Sequence, residues 1–209
     1  MKYIKIVNGP IDNNTYLLYN ECNECVIVDP SFDYELIEKK IIDSRLKVKG
    51  IILTHAHYDH IISVDYFASK YEINVYCGEN TSKYIKDPML NMSGISKNSP
   101  NKIILNSSVI TVKNEFQIDS FKFKCILTYG HSRTCTTFLT GVYAFTGDFV
   151  FKNTIGRVDL FDSSMELMIE SIRTFSKLPL NYFILSVHGD ETTLEDEKKY
   201  NKYFKKYGV

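Results

Sequence analysis

Three of the chain's five histidines and an aspartate stand within six positions, in Thr54-His55-Ala56-His57-Tyr58-Asp59-His60. Imidazole nitrogen and carboxylate oxygen are the donors that zinc, iron and manganese take, and donors crowded on one segment lower the entropy cost of assembling a site. In an extended strand His55, His57 and Asp59 would point one way and His60 the other. In a helix His55 and Asp59 would share a face without His57. Neither regular form gathers all four, so the pattern predicts a strand end that breaks into a loop and divides them between two neighbouring metals. The alternative, a solvated polar loop or histidines closing a helix, is opposed by the scarcity of histidine elsewhere.

The elements that must position these residues follow from periodicity and punctuation. Gly50 to Thr54 reads as a buried apolar strand that delivers the motif at its C-terminal end. Before it, runs at 2 to 7, 15 to 19 and 25 to 28 predict an antiparallel meander, and Tyr34 to Leu46 an amphipathic helix. After it come a helix from about Ile61 to Tyr71 and a strand from Ile73 to Cys77. Strands are predicted at Val109 to Val112, Phe121 to Leu127, Thr136 to Thr140 and Val142 to Thr146. The other candidate donors each follow such a strand: His131 after Thr128-Tyr129-Gly130, Asp148 after Phe145-Thr146-Gly147, and His188 after Phe183 to Val187. Strand ends are where α/β proteins gather reactive groups from distant positions.

Ser163-Ser164-Met165-Glu166 reads as a capping box before a helix over Leu167 to Leu178. Thr192-Thr193-Leu194-Glu195 reads as another, before a helix ending near Tyr207. Lysines late in that last helix complement its dipole. Residues 80 to 100 read as a flexible loop, either a substrate lid or a surface insertion.

With 209 residues the chain suits a single domain, 1–209, large enough for a core without disulfide or metal staples. Lys plus Arg and Asp plus Glu number 25 each, so no overall field favours nucleic acid or an anionic membrane, and the expected partner is a small molecule. Five scattered cysteines fit reduced thiols, Cys22-Asn23-Glu24-Cys25 fits a hairpin turn better than a metal pair, and no apolar run suits a signal peptide or membrane span. The expected location is cytoplasmic. The two halves, to about 115 and from about 116, each read as strands followed by helix.

Counting donors constrains the chemistry. Five histidines with Asp59 and Asp148 make seven, whereas a catalytic zinc takes three protein ligands and keeps one position open. Two divalent ions sharing a carboxylate would use all seven. Such a pair lowers the pKa of a water held between them and polarises a carbonyl or phosphoryl oxygen.

The motif after its apolar strand, with Gly130-His131-Ser132, Thr146-Gly147-Asp148 and His188-Gly189, resembles the metallo-β-lactamase superfamily over nearly the whole chain. Asn14-Thr15-Tyr16-Leu17, Val26 to Pro30 and Gly156 to Leu160 resemble its small hydrolases similar to hydroxyacylglutathione hydrolase, or glyoxalase II. The resemblance implies an α+β fold, a four-layer αββα sandwich with a dimetal site at one edge of the sheets. It implies that His55, His57 and His131 hold one metal, Asp59, His60 and His188 the other, and that Asp148 bridges. It also implies zinc, with iron or manganese as alternatives, and a basic substrate-binding residue at Arg157, whose other reading is a surface salt bridge. Asp59 and Asp148 are the catalytic candidates.

The leading expectation is hydrolysis of a thioester or similar acyl compound by hydroxide on the metal pair. The alternatives are an enzyme similar to the mononuclear iron persulfide dioxygenases, a lactonase or β-lactamase, and a module braced by its metals. Tyr129 and Ile61-Ile62-Ser63 depart from the family's usual glycine and proline positions. The extra C-terminal helical domain that completes the glutathione site of larger glyoxalase II enzymes is not expected, which bears against glutathione specificity.

Overall fold

The computed structural model describes residues 1–208. The first sheet opens with β1 (Lys2–Asn8), β2 (Asn13–Tyr19) and β3 (Glu24–Val28), paired antiparallel, with β2 and β3 buried along nearly their whole length. Helix α1 (Tyr34–Asp43) crosses to β4 (Lys47–Leu53), which lies parallel to β3. Helices α2 (Tyr58–Ile61) and α3 (Val64–Tyr71), strand β5 (Val75–Cys77), helix α4 (Thr81–Tyr84) and strand β6 (Val109–Thr111) complete this half. The six strands lie in chain order.

The second half adds β7 (Glu115–Ile118), β8 (Phe121–Leu127), β9 (Thr136–Thr140), β10 (Tyr143–Gly147) and the ribbon β11 (Val150–Phe151) and β12 (Thr154–Ile155). It ends with α5 (Met165–Phe175), β13 (Phe183–Ser186), β14 (Thr192–Thr193), α6 (Leu194–Tyr200) and α7 (Lys202–Tyr207). Its sheet has the order β14-β13-β10-β9-β8-β7.

Side-chain alternation along the strands makes four layers. In β3 and β4, Ile27, Ile51 and Leu53 face α1 and α3, while Val26, Val28 and Ile52 face the other sheet. Phe121, Phe123, Phe138, Phe145 and Leu185 meet them there, and Leu139, Ala144 and Ile184 turn outward onto Met168, Ile172 and Phe175 of α5. The result is the αββα sandwich expected from the sequence.

At one edge, backbone bonds stitch the sheets together: Asn14 N–H donates to Val187 O (2.6 Å), Thr136 N–H donates to Thr54 O (2.8 Å), and Asn13 bridges His188. Among the described residues no helix is long and apolar enough to cross a membrane.

Several boundaries differ from expectation for local reasons. Helix α1 stops at Asp43 because Arg45 takes left-handed backbone (φ 53°) and Leu46 N–H bonds back to Ile41 O (3.0 Å). Glu72 (φ 51°) and the Ile73 N–H to Ala68 O bond likewise make Ile73 part of a helix end and shorten β5. The helix expected from Ile61 is broken at Ser63, whose N–H and hydroxyl turn to the carbonyls of Pro30 and Ser31.

Both caps sit one residue later than read. Ser164 accepts from Leu167 N–H, and Thr193 accepts from Asp196 N–H while donating to the Asp196 carboxylate. The C-terminal helix splits at Asn201, which caps α7 through Tyr203 N–H. The turn between β2 and β3 runs from Asn20 to Asn23, whose N–H donates to Asn20 O (3.1 Å) at φ 59°, and all five cysteines are free. Residues 80 to 100 begin with α4 and are anchored at Asn91, which is buried, donates to Ile103 O (2.8 Å), and accepts at its own carbonyl from Tyr58 N–H.

Candidate metal centre

Strand β4 ends at Leu53, the chain runs through His55 and His57 without regular structure, and α2 then presents Asp59 and His60. The break divides the motif as the spacing predicts. His55, His57 and His131 gather their nitrogens in one group, and Asp59, His60 and His188 make another, with Asp148 meeting His55 and His60 between them. Asp148 Oδ1 lies 3.5 Å from His60 Nε2, and its Oδ2 lies 3.5 Å from His131 Nε2 and 3.8 Å from His188 Nε2. One carboxylate therefore spans both groups.

The fit to metal can be tested on these atoms. Donors held at 2.0–2.1 Å around a tetrahedral zinc stand about 3.3 Å apart. Here His57 Nδ1 and His131 Nε2 are 3.0 Å apart, His60 Nε2 and Asp59 Oδ2 3.6 Å, and His188 Nε2 and Asp59 Oδ2 3.5 Å. Nε2 of His55 and of His60 and Oδ1 of Asp148 are buried without a hydrogen-bond partner. Converging orphaned donors beside buried carboxylates are costly unless a cation completes them. The residues fit two metal ions.

The electrostatics sort the histidines into two kinds. Burial holds His55 well below the usual imidazole range and brings His57, which also faces His131, to about 3. Both are neutral, the form that binds metal. Burial also disfavours a charge on His60, but the carboxylates of Asp59, Asp29 and Asp148 outweigh it and raise that imidazole well above the usual range. Burial opposes a charge on Asp59 too, yet His60 and the bond from His188 bring its carboxyl to about 2.

Residues behind the donors set their orientation, as in most metal sites. The buried Asp29 carboxylate accepts from Thr54 N–H (2.8 Å), the Thr54 hydroxyl (2.5 Å) and His60 Nδ1–H (2.9 Å). In neutral His60 that bond keeps the remaining proton on Nδ1 and leaves Nε2 for metal. His131 Nδ1–H donates to the Arg157 carbonyl (2.9 Å), and Asn13 Nδ2–H donates to Asp59 Oδ2 (2.9 Å). Two glycines allow this crowding. At Gly147 (φ +54°) a Cβ would lie 2.3 Å from Thr54 Oγ1, and at Gly156 it would lie 1.8 Å from Asp148 O.

Asp29, Thr54 and Asn13 are absent from the sequence-derived site. Asp29 carried a signal, a lone acid ending the apolar run Val26-Ile27-Val28 beside the strand that leads into the motif.

Arg157 lines a cavity of about 550 Å³ that opens over His57, Asp59, Asp148 and His188. Its guanidinium is engaged with Asp159, through Nε–H at 2.6 Å and an Nη–H at 2.8 Å, on exposed side chains. A hollow of similar size, about 570 Å³, lies against Phe116, Lys122, Lys124 and Tyr182 and is lined by none of the clustered donors.

The sequence profile of the metallo-β-lactamase superfamily matches residues 8–188, which contain all seven donors. The chain belongs to the metallo-β-lactamase superfamily. Within the superfamily it is 32% identical to a probable metallo-hydrolase of Streptococcus pyogenes serotype M6, over 98% of this chain and 90% of that one. A hydroxyacylglutathione hydrolase of Buchnera aphidicola subsp. Baizongia pistaciae is also 32% identical, over 93% of this chain and 69% of the relative. Among solved structures, the superfamily fold here matches BLEG-1, described as a B3 metallo-β-lactamase, with a TM-score of 0.91 and 32% identity, covering 97% of this chain and 99% of the other. Family and donor set together make the chain a metallo-hydrolase with candidate metal-binding His/Asp groups.

Proposed function

We propose that the chain hydrolyses thioesters of small acyl groups in the cytoplasm, with a zinc pair as its cofactor. The observation that supports this most is the span of Asp148 between two complete donor groups. Two bound cations would supply a water acidified to near-neutral pKa and a Lewis acid for the acyl oxygen.

The chain's own residues do the rest. His55, His57 and His131 would hold one ion; Asp59, His60 and His188 would hold the other; Asp148 would fix their separation. Asn13 and Asp29 keep Asp59 and His60 turned toward the centre. Arg157 stands at the cavity wall, where its guanidinium could exchange Asp159 for a substrate carboxylate. A mononuclear iron oxygenase would leave the Asp59, His60 and His188 group idle. The similarity to a hydroxyacylglutathione hydrolase fits the thioester reading.

A second reading, β-lactam hydrolysis, is favoured by the likeness to BLEG-1. One experiment separates the two: elemental analysis of protein purified from metal-replete culture, followed by a panel of acyl thioesters read by thiol release and a chromogenic cephalosporin. Close to two equivalents of metal with thiol release supports the proposal. A reproducible single equivalent, or turnover of the cephalosporin alone, refutes it.

A further inference from the structure

The stretch that carries His55 and His57 belongs to no strand or helix, so its backbone is held by other means. Ala56, fully buried between the two histidines, donates its N–H to the Thr134 hydroxyl oxygen (3.2 Å) across 78 residues of chain. The Thr134 hydroxyl meets that of Ser132 (2.9 Å). The Ser132 hydroxyl in turn donates to the Asp162 carboxylate (2.8 Å), which also accepts from Arg133 N–H (3.2 Å). Ser132, Thr134 and Asp162 are all buried.

The carboxylate at the end gives this relay its direction. It can only accept, so the Ser132 proton points to it, the Thr134 proton points to Ser132 Oγ, and a lone pair of Thr134 is left for Ala56 N–H. The segment that supplies Asp162 also grips His131 itself. The Arg157 carbonyl accepts from His131 Nδ1–H (2.9 Å), and the Ser163 hydroxyl donates to His131 O (2.6 Å). One segment, 157–163, thus ties down all three histidines of the first donor group: His131 directly, and His55 and His57 through the backbone between them. The relay reaches neither Asp59 nor His60, which Asn13 and Asp29 orient.

We propose that Ser132, Thr134 and Asp162 are positioning residues for the His55, His57 and His131 group, and that their relay sets the spacing of its nitrogens, so that breaking it weakens one metal equivalent and spares the other. The 3.0 Å approach of His57 Nδ1 to His131 Nε2 joins the two segments that the relay binds together. The inference rests on the metal pair of the proposed function and is independent of the substrate.

Thr134→Val keeps the shape of the side chain but removes the acceptor, leaving a buried N–H unpaired unless the segment between His55 and His57 moves. Thr134→Ser keeps the hydroxyl. Competition for zinc against a chromogenic chelator should show affinity for one of two equivalents falling about 10- to 100-fold in Thr134→Val, the range for orienting partners, and partway in Ser132→Ala, with Thr134→Ser close to the wild type. Cadmium NMR identifies the weakened site, because the group of three imidazoles is richer in nitrogen than the group that contains Asp59.

A threonine that only supports the fold would lower both equivalents together or neither. Either result in Thr134→Val overturns the proposal, as do weakening confined to the Asp59, His60 and His188 group and a Thr134→Ser protein as weak as Thr134→Val. Ser132→Ala, which leaves Ala56 N–H its partner, carries the same comparison if Thr134→Val does not fold. A wild type that binds a single equivalent refutes the metal pair; the relay is then supported if Thr134→Val weakens that equivalent and overturned if it does not. A wild type that binds no metal overturns both.

Discussion

Replacing Asp29 with asparagine tests how the second donor group is oriented. All three neighbours of the Asp29 carboxylate present hydrogens to it: Thr54 N–H, the Thr54 hydroxyl and His60 Nδ1–H. Asparagine is nearly the same size but has one acceptor oxygen and one NH2 group, so in either orientation a donor meets a donor. The Thr54 hydroxyl can rotate to accept; the Thr54 amide cannot. The amide oxygen therefore stays with Thr54 N–H, and the NH2 faces His60. His60 relieves that clash only by moving its proton to Nε2, the nitrogen needed for metal.

The lost charge-assisted bond and the buried mismatch should destabilise the metal-free protein by about 1–3 kcal/mol. Affinity for one metal equivalent should fall about 10- to 100-fold, the range for such orienting partners. Competition against a chromogenic chelator resolves the two equivalents, and urea denaturation of metal-free protein gives the stability. An Asp29→Asn protein that holds both equivalents with wild-type affinity would refute this account of His60.

Asp148→Asn should fold but lose about two or more orders of magnitude in kcat against any thioester that the wild type cleaves, on the scale of removing a key electrostatic group. Asp43→Asn on α1 is the control, being exposed and paired with Lys39, whereas Asp162 is unsuitable because it is buried and accepts from the Ser132 hydroxyl and Arg133 N–H. Arg157→Ala should raise KM for a carboxylate-bearing thioester more than for a neutral one, and an equal rise in both would mark the residue as structural. Burial would raise the Asp65 carboxyl, but bonds from Ser107 and Asn106 win and hold it below its ordinary value of 3.8. A lowered carboxyl stabilises the fold above its unfolded pKa and loses that contribution as pH falls through the folded one. The stability gap between wild type and Asp65→Asn, measured by urea denaturation across pH, should therefore be widest at neutral pH and close below about pH 4.

The seven candidate donors are legible in the sequence because each is a histidine or aspartate in or just after an apolar strand, and His and Asp have few other reasons to recur there. The layers are legible for a related cause: in β3 and β4 successive apolar residues face opposite cores, so runs such as Ile51-Ile52-Leu53 can only be central. What escapes the sequence depends on contacts between distant segments. Asp29 reads as the end of a strand until Thr54 and His60 close on it. The break at Ser63 arises from carbonyls of Pro30 and Ser31, which no local propensity contains. The capping serine and threonine each lie one residue past the expected position because two hydroxyl residues stand side by side, and only backbone geometry chooses between them.

The stitches at the edge of the two sheets bear on how the protein is made as well as on what it does. His57 and His131 are 74 residues apart in sequence, and the Asn14 side-chain Nδ2–H that donates to the Ser186 carbonyl spans 172. Contacts of such sequence separation form slowly, since the chain loses loop entropy before they return any stability. The four donors of the first half can meet Asp148 and His188 only after both sheets have docked. Metal capture is thus a late event in folding, and a nascent chain lacking its last strands holds at most a fragment of the centre. Uptake of metal during refolding should follow the closing of the sandwich with a lag, so that the ion reports completion of the fold.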